Sequence, residues 1–86
     1  MAKVTIYTTP ICPYCMMAKR LLSQKGAQVE EINVMGRSDL RAEMVEKAGG
    51  RSTVPQIWIG EQHVGGCDDL YALDANGRLD AMLAAA

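Results

Sequence analysis

The chain has 86 residues, of which 49% are hydrophobic and 22% are charged. This length supports one hydrophobic core, so we expect a single domain over residues 1–86, and the composition excludes a disordered or fibrous protein. Nine Lys and Arg against ten Asp and Glu give a formal net charge of -1. The surface therefore has no broad basic area to neutralise a phosphate backbone, and nucleic acid is not an expected partner.

The start of the sequence, Met1 to Tyr7, contains no apolar run of the kind found in a signal peptide or a membrane helix. We therefore expect a cytoplasmic protein with no membrane partner, and nothing in the pattern indicates an oligomer, so a monomer is expected. The three cysteines include a pair at Cys12 and Cys15, too close together to staple a core as disulfides do in small secreted proteins. In a reducing compartment such a pair is expected to be redox-active or metal-binding.

The first half of the chain has the pattern of a strand, a helix and a second strand. Lys3 to Thr8 alternates with period two and is rich in β-branched residues, which predicts the first strand. Apolar residues from Pro13 onward fall at helical spacing up to a stop at Gly26, with Cys12 at the N-cap. Gln28 to Val34 is again β-branched. Because a whole helix connects the two strands, they should be parallel, with a right-handed crossover.

The next segment predicts a second helix and a hairpin. Ser38 and Asp39 are candidate caps for a helix that Gly49-Gly50 ends. Gln56 to Ile59 and His63 to Val64 are short strand candidates with a turn between them, which is typical of antiparallel pairing.

The end of the chain predicts one or two more helices. Gly65-Gly66 ends the fourth strand, and Asp68 or Asp69 can cap a third helix. Asn76-Gly77 separates this helix from a last turn or helix that ends in Ala84 to Ala86. The whole pattern is that of an α/β domain, βαβ and then ββα, with a mixed four-stranded sheet flanked by helices.

The sequence Cys12-Pro13-Tyr14-Cys15 lies between the first predicted strand and the first predicted helix. At the N-cap, Cys12 meets the free N–H groups and the positive dipole end of the helix, which favour its thiolate. Pro13 suits the first helical position because no N–H bond is lost there. Cys15, one turn further along, should be less exposed and can close a disulfide with Cys12. The natural roles are therefore attacking thiol for Cys12 and resolving thiol for Cys15.

Thr53-Val54-Pro55 precedes the third predicted strand, where a proline has no ladder hydrogen bond to give. By sequence alone a trans bond is favoured before Pro55, since only about one X-Pro bond in twenty is cis.

With CPYC after the first strand, TVP before the third and GGCDD after the fourth, the chain resembles a dithiol glutaredoxin. The resemblance covers nearly the whole chain, and Thr53 to Leu73 is similar to the bacterial glutaredoxin 3 type. It implies the thioredoxin fold and raises the expectation of a cis bond before Pro55.

The resemblance also implies an activity, which is thiol–disulfide exchange with glutathione as reducing co-substrate. Protein disulfides and glutathione mixed disulfides would be reduced, with attack by Cys12 and resolution by a second glutathione or by Cys15. The Val54 main chain would pair with the cysteinyl part of glutathione, and the start of the third helix would take its γ-glutamyl end. By resemblance, the residues expected to bind glutathione are Tyr14, Thr53, Val54, Pro55, Gly66, Cys67, Asp68 and Asp69.

One supporting position departs from the family. Glutaredoxins often have a Lys three residues before the first active-site cysteine, where this chain has Thr9. The change removes one cation near the thiolate and one contact to the glycyl carboxylate of glutathione. Arg41, early in the second helix, is a candidate to compensate. Arg51 could face an anionic ligand, but a loop arginine is usually solvated, and we interpret it in that way.

Three other interpretations stay open. The cysteine pair could form half of a zinc site completed by His63 and Cys67, although a Gly-Gly break lies between these two residues. Paired subunits could use Cys12 and Cys15 with glutathione to hold an iron–sulfur cluster, against which Pro13 weighs. The protein could instead be a redoxin of the same fold that thioredoxin reductase reduces. That alternative would not explain why the chain carries the TVP and CDD residues expected to bind glutathione. We expect no metal, and we interpret His63 as a surface or half-buried ring and Cys67 as a small buried residue without a redox role.

Overall fold

A computed structural model describes residues 2–85, and its centre is a mixed four-stranded sheet in the order β2-β1-β3-β4. Strand β1 (Lys3–Thr8) is parallel to β2 (Gln28–Asn33) on one side and antiparallel to β3 (Gln56–Ile59) on the other. Strand β4 (Gln62–Gly65) pairs antiparallel with β3. The predicted arrangement of a parallel pair followed by an antiparallel hairpin is confirmed.

The helices that flank the sheet are α1 (Pro13–Gln24), α2 (Ser38–Lys47), α3 (Cys67–Ala75) and α4 (Leu79–Ala84). Helix α1 makes the predicted crossover between β1 and β2, and its N-cap is Cys12, as expected. The last helix ends at Ala84, and Met1 and Ala86 lie outside the described residues. Every helix within residues 2–85 is too short or too polar to cross a membrane.

The side-chain cap predicted for α2 is wrong, whereas the cap predicted for α3 is confirmed for Asp69. Helix α2 has Arg37 at its N-cap with no side-chain cap hydrogen bond, because the Asp39 carboxylate instead accepts from the Arg37 guanidinium at 3.1 and 3.0 Å. Helix α3 begins at Cys67, after an N-cap at Gly66. Asp69 is therefore inside the first turn, where its carboxylate accepts from the Gly66 N–H at 2.9 Å, so it caps the helix from within.

Side chains alternate across the strands, so each sheet face has its own core. On one face, Val4 and Ile6 pack with buried residues of α1, α3 and α4. On the other, Tyr7 and Trp58 pack with Met44 of α2, and the two aromatic rings meet edge to face at 5.3 Å. Trp58 is 5% exposed and is a packing residue of this second core.

Three chain segments meet at one edge of the sheet because of the strand directions. The C-terminal end of β1 leads to Cys12, and the C-terminal end of β4 leads to Gly66. Strand β3 is antiparallel to both, so its N-terminal end, preceded by Thr53, Val54 and Pro55, lies at the same edge. The topology therefore brings CPYC, TVP and GGCDD together although they are far apart in sequence.

Candidate active site

The two active-site sulfurs lie at the start of α1 and are held by main-chain contacts. The N–H of Cys15 donates to Cys12 Sγ at 3.2 Å, and the Cys12 thiol lies 3.8 Å from the Val54 carbonyl oxygen. Cys12 is 8% exposed and Cys15 is 1% exposed, which is the order predicted from sequence. The sulfur of Cys12 thus faces the TVP segment, while that of Cys15 lies behind it.

The environment of Cys15 keeps it protonated. Burial, together with the hydrogen bond to Cys12, raises the pKa of the Cys15 thiol from its ordinary value of 9.0 to about 12. The Thr9 backbone and the positive charge of Lys19 oppose this rise but are outweighed. At neutral pH Cys15 is therefore a thiol, and a weak nucleophile until its proton is removed.

A cavity of about 420 Å³ is lined by residues of the TVP and GGCDD segments. The carbonyl oxygen of one lining residue, Val54, contacts the Cys12 sulfur, and the peptide bond between Val54 and Pro55 is cis, as the family resemblance led us to expect. The structure brings together all eight residues that the resemblance assigned to glutathione. The cavity is lined by Tyr14, Arg51, Thr53, Val54, Pro55, Gly66, Cys67, Asp68 and Asp69.

Arg51 is a site residue that the sequence interpretation missed. It lines the cavity, and its Nη1 donates to Asp69 Oδ2 at 3.1 Å. The same Asp69 oxygen accepts from the Gly66 N–H, and these two donors hold the pKa of the Asp69 carboxyl below its usual value. The available signal was the position of Arg51 two residues before Thr53, on a loop already assigned to the site.

The Arg51–Asp69 ion pair lies directly over two glycines. Gly65 has φ +115, and a Cβ placed there would meet both the Asp69 carboxylate and the Arg51 guanidinium. A Cβ on Gly66 would lie 3.5 Å from the Pro55 carbonyl oxygen. A side chain at Gly65 would therefore collide with the protein's own ion pair, and the positive φ at this position also favours glycine.

The supporting residues lie around the cavity and not in its wall. Pro13 occupies the first turn of α1. Thr9 acts on Cys15 through its backbone, and the Arg41 Nη2 donates to the Ser52 carbonyl at 3.3 Å. Arg41 thus contacts the loop that carries Thr53 and lies beside the cavity lining.

The residues proposed to complete a zinc site have other partners. His63 Nε2 lies 2.8 Å from Gln56 Oε1, and the ring is tilted against that of Trp58 with centroids 4.7 Å apart. Cys67 is 5% exposed, belongs to the core on the α1 face, and has its thiol pKa raised by burial. In the part of the chain that the structure describes, residues 2–85, no three His, Cys, Asp or Glu side chains come together as a metal site.

A pair of thiols at the start of a helix, at the edge of a sheet with this topology, defines a thiol–disulfide oxidoreductase of the thioredoxin fold. The family model for glutaredoxin matches residues 4–64. A glutaredoxin of Pseudomonas aeruginosa is 60% identical over 85 residues, which cover 99% of this chain and 100% of the relative. Glutaredoxin 3 of Escherichia coli is 57% identical over 83 residues, 96% of this chain and 99% of the relative.

A solved structure gives the same answer. The crystal structure of the buckwheat glutaredoxin–glutathione complex superposes with a TM-score of 0.86 at 32% identity, over 95% of this chain and 76% of that one. The chain belongs to the glutaredoxin family. Its members are thiol–disulfide oxidoreductases that typically use glutathione, so the predicted family, fold and enzyme class are confirmed.

Proposed function

We propose that the protein uses glutathione to reduce glutathione mixed disulfides and protein disulfides, as a monomer with one domain over residues 1–86. The observation that carries the proposal is a cavity whose lining includes both Val54, whose carbonyl oxygen contacts the Cys12 sulfur, and the Arg51–Asp69 pair. The cavity therefore combines charged groups that can bind a zwitterion with a nucleophile next to one of its lining residues. The relative from buckwheat was solved with glutathione bound, which supports the same ligand here.

In the first step, the Cys12 thiolate attacks the glutathione sulfur of a mixed disulfide. The old S–S bond breaks, the substrate leaves as a thiolate that takes up a proton, and glutathione becomes disulfide-bonded to Cys12. In the second step, the thiolate of another glutathione attacks that glutathionyl sulfur, which releases oxidised glutathione and the Cys12 thiolate. Burial raises the pKa of the Cys15 thiol, which makes it a weak nucleophile at neutral pH, and we assign this step to glutathione.

Protein disulfides require the second cysteine. Attack by Cys12 leaves a mixed disulfide with the substrate protein, and Cys15, after losing its proton, attacks the Cys12 sulfur and frees the substrate as a thiol. The Cys12–Cys15 disulfide formed in this way is then reduced by two molecules of glutathione. The hydrogen bond from the Cys15 N–H to Cys12 Sγ, 3.2 Å, supports this closure.

Glutathione would lie along the cavity with its cysteinyl main chain against that of Val54. Its γ-glutamyl carboxylate would meet the free N–H groups at the start of α3, and its ammonium the carboxylates of Asp68 and Asp69. Arg51 Nη1 donates one hydrogen bond to Asp69, and the other N–H groups of the guanidinium can donate to a carboxylate of glutathione. Arg41 is proposed to bind the glycyl carboxylate of glutathione. Many glutaredoxins have a Lys for this contact at the position where this chain has Thr9.

The partners proposed for the protein are glutathione and disulfide-bearing or glutathionylated proteins, with no resident metal. A net charge of -1 supports the absence of a nucleic-acid partner. Glutathione keeps thiol pairs reduced in the cytoplasm, and we place the activity there, without a membrane partner.

The test is the rate at which the purified protein reduces a glutathione mixed disulfide, with glutathione reductase regenerating the glutathione. Rapid turnover that depends on added glutathione supports the proposal. Turnover with thioredoxin reductase alone would indicate the redoxin alternative. Absence of turnover in folded, metal-free protein contradicts the proposal, and zinc or iron found by metal analysis and a visible spectrum in an inactive protein would indicate a metal-binding module.

A further inference from the structure

Gln56, the first residue of β3, carries a buried amide directly behind the cavity wall. It follows Pro55 in the chain and is 0% exposed, although it is a polar residue among apolar strand neighbours. A buried amide needs hydrogen-bond partners for both its oxygen and its nitrogen, because water cannot supply them. The partners of Gln56 therefore show what the amide does.

The amide links β4 to the loop that lines the cavity. Gln56 Nε2 donates to Thr53 Oγ1 at 3.2 Å, and Gln56 Oε1 lies 2.8 Å from His63 Nε2. His63 is half-buried, and its ring is fixed against Trp58. With its proton on Nε2, the imidazole donates to the amide oxygen and so turns the amide nitrogen toward Thr53.

This direction of hydrogen bonding decides what Thr53 offers to the cavity. Thr53 is exposed and lines the cavity between Arg51 and Val54. Since its hydroxyl oxygen already accepts from Gln56, its own O–H points away from the amide and is free to donate. The ligand proposed for this cavity carries two carboxylates and peptide carbonyl groups, which are all acceptors.

We propose that Gln56 is a positioning residue, which with His63 orients the Thr53 hydroxyl as a hydrogen-bond donor toward bound glutathione. The inference rests on the proposed function, because it takes glutathione as the ligand of the cavity. It concerns binding and not the reacting sulfurs, so loss of the amide should raise KM for a glutathione mixed disulfide and leave kcat close to its value in the unaltered protein.

The experiment measures KM, kcat and thermal stability for three variants. Thr53→Val removes the hydroxyl, and Gln56→Met removes the amide at similar volume. Gln56→Glu keeps the shape but removes the amide N–H; in its ionised form the new side chain can only accept, so the Thr53 O–H turns toward the carboxylate and away from the cavity. Each should raise KM about three- to tenfold, the equivalent of one hydrogen bond. The double variant Thr53→Val/Gln56→Met should raise KM no further than either single change, because both remove the same interaction.

Gln28→Met is the matched control, since Gln28 is an exposed glutamine on the edge strand β2, and its KM should be unchanged. Lowered thermal stability with an unchanged KM in both Gln56 variants would overturn the inference, because that is the result of a merely structural role. If the Gln56 variants do not fold, His63→Phe decides: it removes the ring donor but keeps the stacking, and an unchanged KM overturns the inference. Absence of any glutathione-dependent turnover in the unaltered protein would instead contradict the proposed function.

Discussion

The two ends of the cavity are built in different ways. At the thiol end, Cys12 and Cys15 are buried, and their contacts are to the main chain within one helical turn and to Val54. At the far end, Arg51 and Asp69 are roughly half-exposed charged side chains, brought together from a loop and a helix. Reactivity therefore depends on the local start of α1, whereas the proposed recognition of glutathione depends on how β3, β4 and α3 pack.

The largest effect should follow from changing the thiol end. Cys12→Ser removes the attacking sulfur and should abolish reduction of both protein disulfides and glutathione mixed disulfides. Cys15→Ser should lose the protein disulfide reaction but keep turnover of glutathione mixed disulfides, because a second glutathione resolves them. Both rates are measured by coupling to glutathione reductase. Loss of both activities in Cys15→Ser would show that the route with a single thiol is wrong.

At the far end, Gly65→Ala should have the next largest effect. Alanine at φ +115 costs about 1–3 kcal/mol of unfolding free energy, and its Cβ would also displace the Arg51–Asp69 pair. Glutathione affinity and stability should therefore fall together. Gly26→Ala is the matched control, since φ is +70 there and nothing lies within 4 Å of the added Cβ. In the control, urea unfolding should show a loss of stability while KM stays unchanged. A normal KM in Gly65→Ala would contradict the proposal that the Arg51–Asp69 end of the cavity binds glutathione.

Arg51→Met should separate recognition from stability. The Arg51–Asp69 pair is roughly half-exposed, so its loss should change stability little, whereas KM for a glutathione mixed disulfide should rise about three- to tenfold. Arg37→Met removes a comparable exposed pair, Arg37–Asp39, that does not line the cavity. Equal KM values for these two variants would show that Arg51 is only a solvated loop residue, as the sequence alone suggested.

The smallest effect should be on pH dependence. Burial and the Cys12 hydrogen bond raise the folded-state pKa of Cys15 to about 12, above its ordinary value of 9.0. The stability due to this group is thus fully present below pH 9.0 and is lost as pH rises toward 12. Urea unfolding of the reduced protein should show a decline in stability as pH rises above 9.0, and this decline should be weaker in Cys15→Ala. An equal loss of stability with pH in both proteins would contradict the raised pKa of Cys15.

The thiol end was predictable because its signals are local. The strand before Cys12, the proline at the first helical position and the stop at Gly26 fix the start and the length of α1 without reference to the rest of the fold. The alternation of β1 and the hairpin residues likewise predicted the sheet. Family resemblance supplied the residues of the cavity wall and the cis bond before Pro55, which the local sequence did not favour.

The parts that sequence did not predict are interactions between side chains and distant segments. Arg51 joins the site only because β4 and α3 bring Asp69 within 3.1 Å of it. The partnership of Gln56 with His63 requires the β3–β4 pairing, which places their side chains together. The predicted cap of α2 was wrong for a related reason, since the Asp39 carboxylate accepts hydrogen bonds from the Arg37 guanidinium instead of capping the helix. Charged and amide side chains have several possible partners, and only packing selects among them.

The most direct test of whether glutathione contacts both the thiol end and the Arg51–Asp69 end is a structure of glutathione bound to the protein. The Cys15→Ser variant treated with oxidised glutathione forms a stable mixed disulfide at Cys12 and releases one glutathione. A crystal or NMR structure of this adduct should show the cysteinyl main chain paired with Val54 and the γ-glutamyl group at the start of α3, beside Asp69 and Arg51. An adduct held only through its bond to Cys12, with the γ-glutamyl group touching neither residue, would contradict the account.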